Sequence, residues 1–156
     1  MSFYPDPGPC DYLGPEHASG LKAIGWLEED SPYRRDKTDP RFVHKLVLLL
    51  AEPWEHERLS DPHYCSLCSF SHGPVEFRLW QSPGMPTVPM GNRNLFVPGN
   101  GFLYITPSLV LHYIDAHQYA PPDEFVKAVL ECPPTRSKEY LKAVQDNAPK
   151  GFLIPR

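Results

Sequence analysis

Residues 94–106 read NLFVPGNGFLYIT, two short apolar runs on either side of a Gly-Asn-Gly turn. Glycine and asparagine accept the positive φ angles that a tight turn between antiparallel strands requires. The second run leads directly into Pro107, a residue that interrupts a strand. The stretch therefore predicts a β-hairpin at about residues 94–106.

Helices are predicted downstream of this hairpin. Thr106-Pro107 combines a helix-capping residue with a proline at the first helical position, and an apolar stripe follows over residues 108–116. Pro121-Pro122 ends that helix and begins another, whose apolar stripe consists of Phe125, Val126, Val129 and Leu130. A last short helix is expected at 137–146, before a terminal tail at 147–156.

Upstream of the hairpin, the pattern alternates between strand and helix. A short aromatic-bearing segment at 21–28 predicts a strand, and Asp39-Pro40 starts a helix that runs with a buried stripe over residues 41–52. Alternation of apolar and polar residues predicts a second strand at 75–80. The proline-rich residues 81–93 are expected to form a rigid loop, although their P-x-x-P spacing also occurs in polyproline ligands.

Length and composition favour a folded chain. The 156 residues suffice for one domain with its own core, and 41% of them are hydrophobic. Twenty prolines interrupt the chain, most densely in the first 20 residues. We therefore expect one α+β domain over residues 1–156, with an irregular arm at 1–20, a small antiparallel sheet and C-terminal helices.

Charge and hydropathy exclude several function classes. The formal net charge is −4 and no run of five basic residues occurs, which argues against nucleic-acid binding. No apolar stretch approaches the ~18 residues of a membrane-spanning helix, and the first residues lack the pattern of a signal peptide. A cytoplasmic protein with reduced thiols is the expectation.

The chemistry-bearing segment contains Cys65 and Cys68, which form a C-x-x-C pair. Two cysteines at this spacing can direct both sulfurs at one ion, the usual half-site for tetrahedral Zn²⁺. The other half is offered by His112 and His117, which lie within the spacing typical of zinc-binding histidine pairs. The predicted ligands are therefore Cys65, Cys68, His112 and His117, and the metal would tie the cysteine loop to the histidine helix.

Helix geometry restrains this assignment. Residues five apart on a straight helix differ by about 140° around its axis, so the two imidazoles converge only if the helix unwinds near His117. Pro121-Pro122 requires the helix to end within a turn of that position. If the histidines fail to converge, His72 is the first substitute ligand and His63 the second.

Other interpretations of these residues stay open. A C-x-x-C pair also serves as a redox couple, although that role favours a helix N-terminus rather than a polar loop. The thiols and imidazoles can also be unligated. Cys10 and Cys132 have no partner at metal-binding spacing and are expected to be ordinary buried residues. The isolated histidines are expected to be solvated or hydrogen-bonded, namely His17, His44 and His56.

A closed Cys₂His₂ set predicts a structural metal. Catalytic zinc keeps a coordination position for water and places a carboxylate base nearby. Asp115 and Glu124 lie near the histidines in sequence, but helix capping or support of a ligand explains both. We expect a zinc-binding interaction module for a protein or a small ligand. The alternative is a zinc-dependent hydrolase with an open coordination position.

Four motifs together resemble those of a family of small, uncharacterised bacterial proteins. They are GWL at 25–27, HxCxxC at 63–68, NLxVPG at 94–99 and YxxPxLxxHYIxxHxYxPPxEF at 104–125. The resemblance covers about residues 12–131 and implies that the cysteine pair and the two histidines belong to one site. It implies no activity.

Overall fold

The computed structural model describes residues 4–10, 19–54, 64–68, 73–80 and 82–150. In chain order, the elements of these residues are β1 (Gly8–Pro9), β2 (Leu21–Ala23), α1 (Pro40–Ala51), β3 (Glu76–Phe77), β4 (Val88–Pro89), β5 (Asn94–Pro98), β6 (Leu103–Pro107), α2 (Val110–His117), α3 (Asp123–Glu131) and α4 (Lys138–Asn147). The prediction of an α+β fold is confirmed.

The central sheet has four strands in the order β1-β2-β6-β5. β5 and β6 form the predicted antiparallel hairpin, with Phe96 opposite Ile105. β2 pairs with β6 in parallel, with Ala23 also opposite Ile105. The sheet is therefore mixed rather than antiparallel throughout. Parallel neighbours need a long crossover, and here the chain passes through α1 and the cysteine loop between the two strands.

Two predicted strands are shorter than the pattern indicated. The strand expected at 21–28 ends at Ala23, because Gly25 has φ +74° and leaves the extended conformation. A Cβ at Gly25 would lie 2.7 Å from Cγ2 of Val110, so a side chain there would collide with α2. The strand expected at 75–80 is reduced to β3, which pairs with β4 inside the predicted loop at 81–93.

Part of the N-terminal arm is attached to the sheet. β1 lies inside the segment predicted to be irregular and pairs with β2. Ahead of it, the Tyr4 N–H donates to the Trp26 carbonyl at 3.3 Å, and their rings meet edge to face. β1 is therefore the strand at one edge of the sheet.

The helices start and end close to their predicted positions, but the predicted start of α2 at Thr106-Pro107 is wrong. Both residues belong to β6, and α2 begins at Val110 without a side-chain cap. Asp39 caps α1, since its Oδ1 accepts from the Arg41 N–H at 2.9 Å, and Pro40 occupies the first turn. Ser137 caps α4 by accepting from the Tyr140 N–H. The Phe42 and Phe125 rings join α1 to α3 edge to face, and both helices contact β5. Among the described helices, none has the length and apolarity needed to cross a bilayer.

Candidate metal centre

The four predicted ligand residues come together in space. Their candidate ligand atoms, two sulfurs and two imidazole nitrogens, all lie within 4.8 Å of one another. Cys65 is 2% exposed and His112 is 7% exposed, so half of the set is buried. The sequence places the pairs more than 40 positions apart, and the fold brings them into one cluster.

The distances inside the cluster suit one tetrahedral ion. Nε2 of His117 lies 3.5 Å from Sγ of Cys65 and 3.6 Å from Sγ of Cys68. Nε2 of His112 lies 3.2 Å from Sγ of Cys68. A tetrahedral zinc ion with ordinary Zn–S and Zn–N bonds separates sulfur from nitrogen by about 3.5 Å. The four residues could therefore hold a metal ion with little rearrangement.

Hydrogen bonds fix the cysteine loop and reach the sulfur of Cys65. The amide N–H groups of Leu67 and Cys68 donate to the Cys65 sulfur, an arrangement that stabilises a thiolate. Between the two cysteines, Oγ of Ser66 accepts from the Glu29 N–H at 3.1 Å. This hydrogen bond joins the loop to the segment that follows β2.

Both histidines lie within α2, which ends directly after His117, and their rings converge without a break in the helix between them. His117 is the last residue of α2, and Gln118 adopts the left-handed conformation with φ 56°. The imidazole rings of His112 and His117 have centroids 5.0 Å apart and stand nearly perpendicular. The predicted loss of regular helix near His117 is confirmed, and it occurs three residues before Pro121.

The end of α2 is fixed by a segment from the first third of the chain. The Tyr33 hydroxyl donates to the His117 carbonyl at 3.1 Å, and the Asp36 N–H donates to the Gln118 carbonyl at 3.2 Å. The Tyr119 N–H donates to the Tyr113 carbonyl at 3.1 Å. These bonds satisfy backbone groups that a helix end leaves free, and they hold His117 in place.

Burial shifts the pKa values of the candidate ligand residues in the absence of a metal ion. It raises the pKa of the Cys65 thiol to about 11, although the two amide donors lower it in part. Burial also lowers the pKa of His112, with further lowering by His117, and lowers the pKa of His117, with further lowering by Arg35. Neutral imidazole is the metal-binding form, so the histidines are poised to ligate, while a metal would displace the Cys65 proton.

Gly73 contributes to the site and was missed by the sequence analysis. It has φ +91°, and a Cβ on it would lie 3.0 Å from Cβ of Cys65 and 3.8 Å from Nε2 of His112. The backbone at this position therefore packs directly against two of the four residues. The available signal was a Gly-Pro pair after the cysteine loop, which indicates a turn but not its proximity to a site.

The remaining candidate residues that the structure describes lie outside the cluster. Among the described residues, no carboxylate joins it, and Glu124 instead accepts from the Tyr104 hydroxyl at 2.8 Å. Cys10 and Cys132 are buried, as predicted. His44 is hydrogen-bonded to Oγ of Ser82 at 2.7 Å. The other histidines lie outside the described residues, namely His17, His56, His63 and His72.

Comparison with known proteins supplies a family. No curated protein and no solved structure matches the chain. The model of the family described as "Domain of unknown function (DUF7919)" matches residues 2–130, a range that includes all four clustered residues and more than half of the chain. The chain therefore belongs to this family, the domain of unknown function DUF7919.

Proposed function

We propose that Cys65, Cys68, His112 and His117 bind one structural Zn²⁺, and that the domain it stabilises binds another protein or a small ligand. The observation that carries the metal proposal is the set of sulfur–nitrogen distances, 3.2 to 3.6 Å, around a common centre. Two thiolates and two neutral imidazoles form a donor set that suits zinc.

The structural role is supported by the number of ligands. Four protein atoms complete a tetrahedral shell, and no carboxylate stands within the cluster to activate a water molecule among the described residues. The hydrolase alternative would need one of the four to remain unbound. We also expect the protein to act in the cytoplasm, where its four cysteines stay reduced.

Elemental analysis tests the metal. We expect about one equivalent of zinc in the purified protein and a loss of most of it in the Cys65→Ser/Cys68→Ser variant. The control is Cys132→Ala, which removes a buried thiol outside the cluster and should retain the metal. Less than half an equivalent in the wild type, unchanged in the double variant, would contradict the proposal.

Chelation tests the structural role. Because a structural zinc contributes its binding free energy to folding, a strong chelator should lower the melting temperature of the wild type. The double cysteine variant should not respond to the same chelator. An unaltered melting temperature of the zinc-loaded wild type would refute a closed structural site.

Substitution with Co²⁺ separates the closed site from the open one. A four-ligand S₂N₂ site gives tetrahedral cobalt with thiolate charge-transfer absorption. We expect that spectrum to remain unchanged when azide or cyanide is added, because no position is open to an exogenous anion. A spectrum that titrates with the anion would favour the hydrolase.

A further inference from the structure

A cavity of about 630 Å³ lies away from the metal centre, between the N-terminal arm, the segment after β2 and the segment between α2 and α3. None of the four clustered residues is among its described lining residues. Its volume falls within the range of small-molecule sites, which is roughly 300 to 1,000 Å³. Tyr4, Leu27 and Tyr33 contribute apolar wall, together with four prolines.

The cavity has one charge without a charged partner. Asp6 lines it, and the Asp6 carboxylate accepts from two neutral donors, the Gly25 N–H at 2.9 Å and the Tyr119 hydroxyl. The Arg34 guanidinium also lines the cavity, but it pairs with Asp123 at 3.2 Å. Among the described residues, no lysine or arginine pairs with Asp6. The lining therefore carries an uncompensated negative charge.

Burial of Asp6 strengthens the attraction between its carboxylate and a cation. Burial raises the pKa of this carboxyl above its ordinary value, against the lowering effect of the two hydrogen bonds. A carboxylate removed from water gains more from an arriving positive charge than an exposed one does. Arg35 lies over the Tyr33 ring at 4.9 Å but is not among the residues that line the cavity.

We propose that this cavity binds a small organic ammonium ion, with its apolar body against Tyr4, Leu27 and Tyr33 and its ammonium donating to Asp6. The proposal rests on the binding role given above, for which it names the class of ligand. A concave site of this size suits a small molecule better than the flat, extended surface that a protein partner covers.

The metal centre supports one wall of the cavity. The Ala120 N–H donates to the Arg34 carbonyl at 2.9 Å, and Nη1 of Arg34 donates to the Pro121 carbonyl at 3.2 Å. The Tyr33 hydroxyl reaches the carbonyl of His117 itself. The segment that carries Tyr33 and Arg34 is thus held by the chain that leaves the histidine helix.

Three ligands with one indole body and different charges test the proposal. We expect tryptamine, the cation, to bind at least tenfold more tightly than the neutral tryptophol, since a charge-assisted hydrogen bond outweighs a neutral one. Indole-3-acetate, the anion, should bind more weakly than either. Calorimetry on protein of measured zinc content gives the three affinities.

Two variants with the same change in net charge assign the effect to Asp6. Asp6→Asn should lower the affinity for tryptamine about tenfold and leave tryptophol within about twofold. Asp146→Asn, on α4 and away from the cavity, should change neither. Equal binding of all three ligands, or loss of discrimination in both variants, would overturn the proposal.

Amide chemical shifts of the wild type test the site if Asp6→Asn does not fold. Addition of tryptamine should shift the Asp6, Leu27, Tyr33 and Ala120 amides. Shifts confined to another surface, or no binding of tryptamine, would reject the cavity as an ammonium site. Zinc content is measured separately, so an amine that fails to bind zinc-loaded protein leaves the metal proposal intact. Amine binding to protein that contains no zinc would support the cavity proposal and contradict the metal proposal.

Discussion

Gly73 is a backbone position that packs against the candidate metal site without supplying a ligand. Its φ of +91° is strained for a side chain, and the space that a Cβ would need is occupied by Cys65. Gly84 has the same φ of +91° and nothing within 4 Å of its missing Cβ. The two glycines therefore separate the cost of the conformation from the cost of the contact.

We expect Gly84→Ala to lower the free energy of unfolding by about 1 kcal/mol, the usual cost of a left-handed alanine, and Gly73→Ala to lower it further, because its Cβ also contacts Cys65. Gly73→Ala should also weaken metal binding at least tenfold, because Cys65 must move by several tenths of an ångström. Competition with a chromophoric chelator measures this affinity. Equal metal affinities in the two variants would show that Cys65 tolerates the contact.

The Asp6 carboxyl is expected to make the stability of the protein fall as pH rises. Burial raises its pKa above 3.8, so the folded protein binds this proton more tightly than the unfolded chain does. The carboxyl therefore favours folding most below pH of about 3.8, and this contribution is lost as pH rises through the folded pKa. Relative to Asp6→Asn, the wild type should lose stability as pH rises from about 4 and then level off.

Urea unfolding of the wild type and of Asp6→Asn at a series of pH values from about 4 upward measures the difference in their free energies of unfolding. The titrations of groups that both proteins share cancel in this difference. Asp39 is the control, because its hydrogen bonds with Arg41 lower its pKa. Its contribution is present above pH of about 3.8 and is lost only below it, so the difference between wild type and Asp39→Asn should stay flat over most of the range. A parallel slope in both pairs would contradict the assignment to Asp6.

At the scale of elements, the end of α2 directly follows the histidine pair. The left-handed backbone conformation of Gln118 is unfavourable for a residue with a side chain, whereas glycine adopts it without this cost. Gln118→Gly should therefore raise the free energy of unfolding by roughly 0.5–1 kcal/mol while leaving the metal affinity unchanged. Gln145→Gly, inside α4, should lower it by about 1 kcal/mol. Denaturant unfolding of the metal-loaded proteins measures whether each variant gains or loses stability.

The sequence predicts the elements whose signals are local. The Gly-Asn-Gly turn identified the β5–β6 hairpin, and Asp39-Pro40 identified the start of α1, because a turn or a cap depends on adjacent residues. The parallel pairing of β2 with β6 was not predicted. It joins residues about 80 positions apart, and nothing in three residues of strand specifies which edge they will meet.

The same distinction applies to the site. C-x-x-C and the histidine pair are short motifs with defined metal chemistry, so the four clustered residues could be named from spacing alone. Gly73 and the cavity around Asp6 could not be. Their roles depend on backbone segments that approach from distant parts of the chain, and this proximity exists only in the folded molecule.

At the scale of the whole molecule, the Cys/His cluster lies where the cysteine loop, the end of α2 and the segment that carries Tyr33 meet. If zinc holds these parts, its removal should speed amide exchange at least tenfold at residues 65–68, 33–36 and 117–120. α4 and β5 should keep their protection, since Tyr140 anchors one to the other through the Phe96 carbonyl at 2.6 Å.

Exchange followed by mass spectrometry, with and without chelator, measures this pattern. The Cys65→Ser/Cys68→Ser variant should reproduce the chelated pattern without added chelator. Uniform loss of protection, α4 included, would mean that the metal holds the entire core. No change at all would mean that the four residues need no ion to stay together.

The pairing of β2 with β6 also has a consequence for synthesis on the ribosome. Residues 21–23 acquire their central neighbour only when residues 103–105 are available. The cluster of Cys65, Cys68, His112 and His117 cannot form until residue 117 has emerged. Roughly the first hundred residues therefore leave the ribosome before either long-range structure can form. We expect nascent chains arrested shortly before residue 103 to be cleaved readily by protease, and those arrested well beyond the exit of residue 117 to resist it.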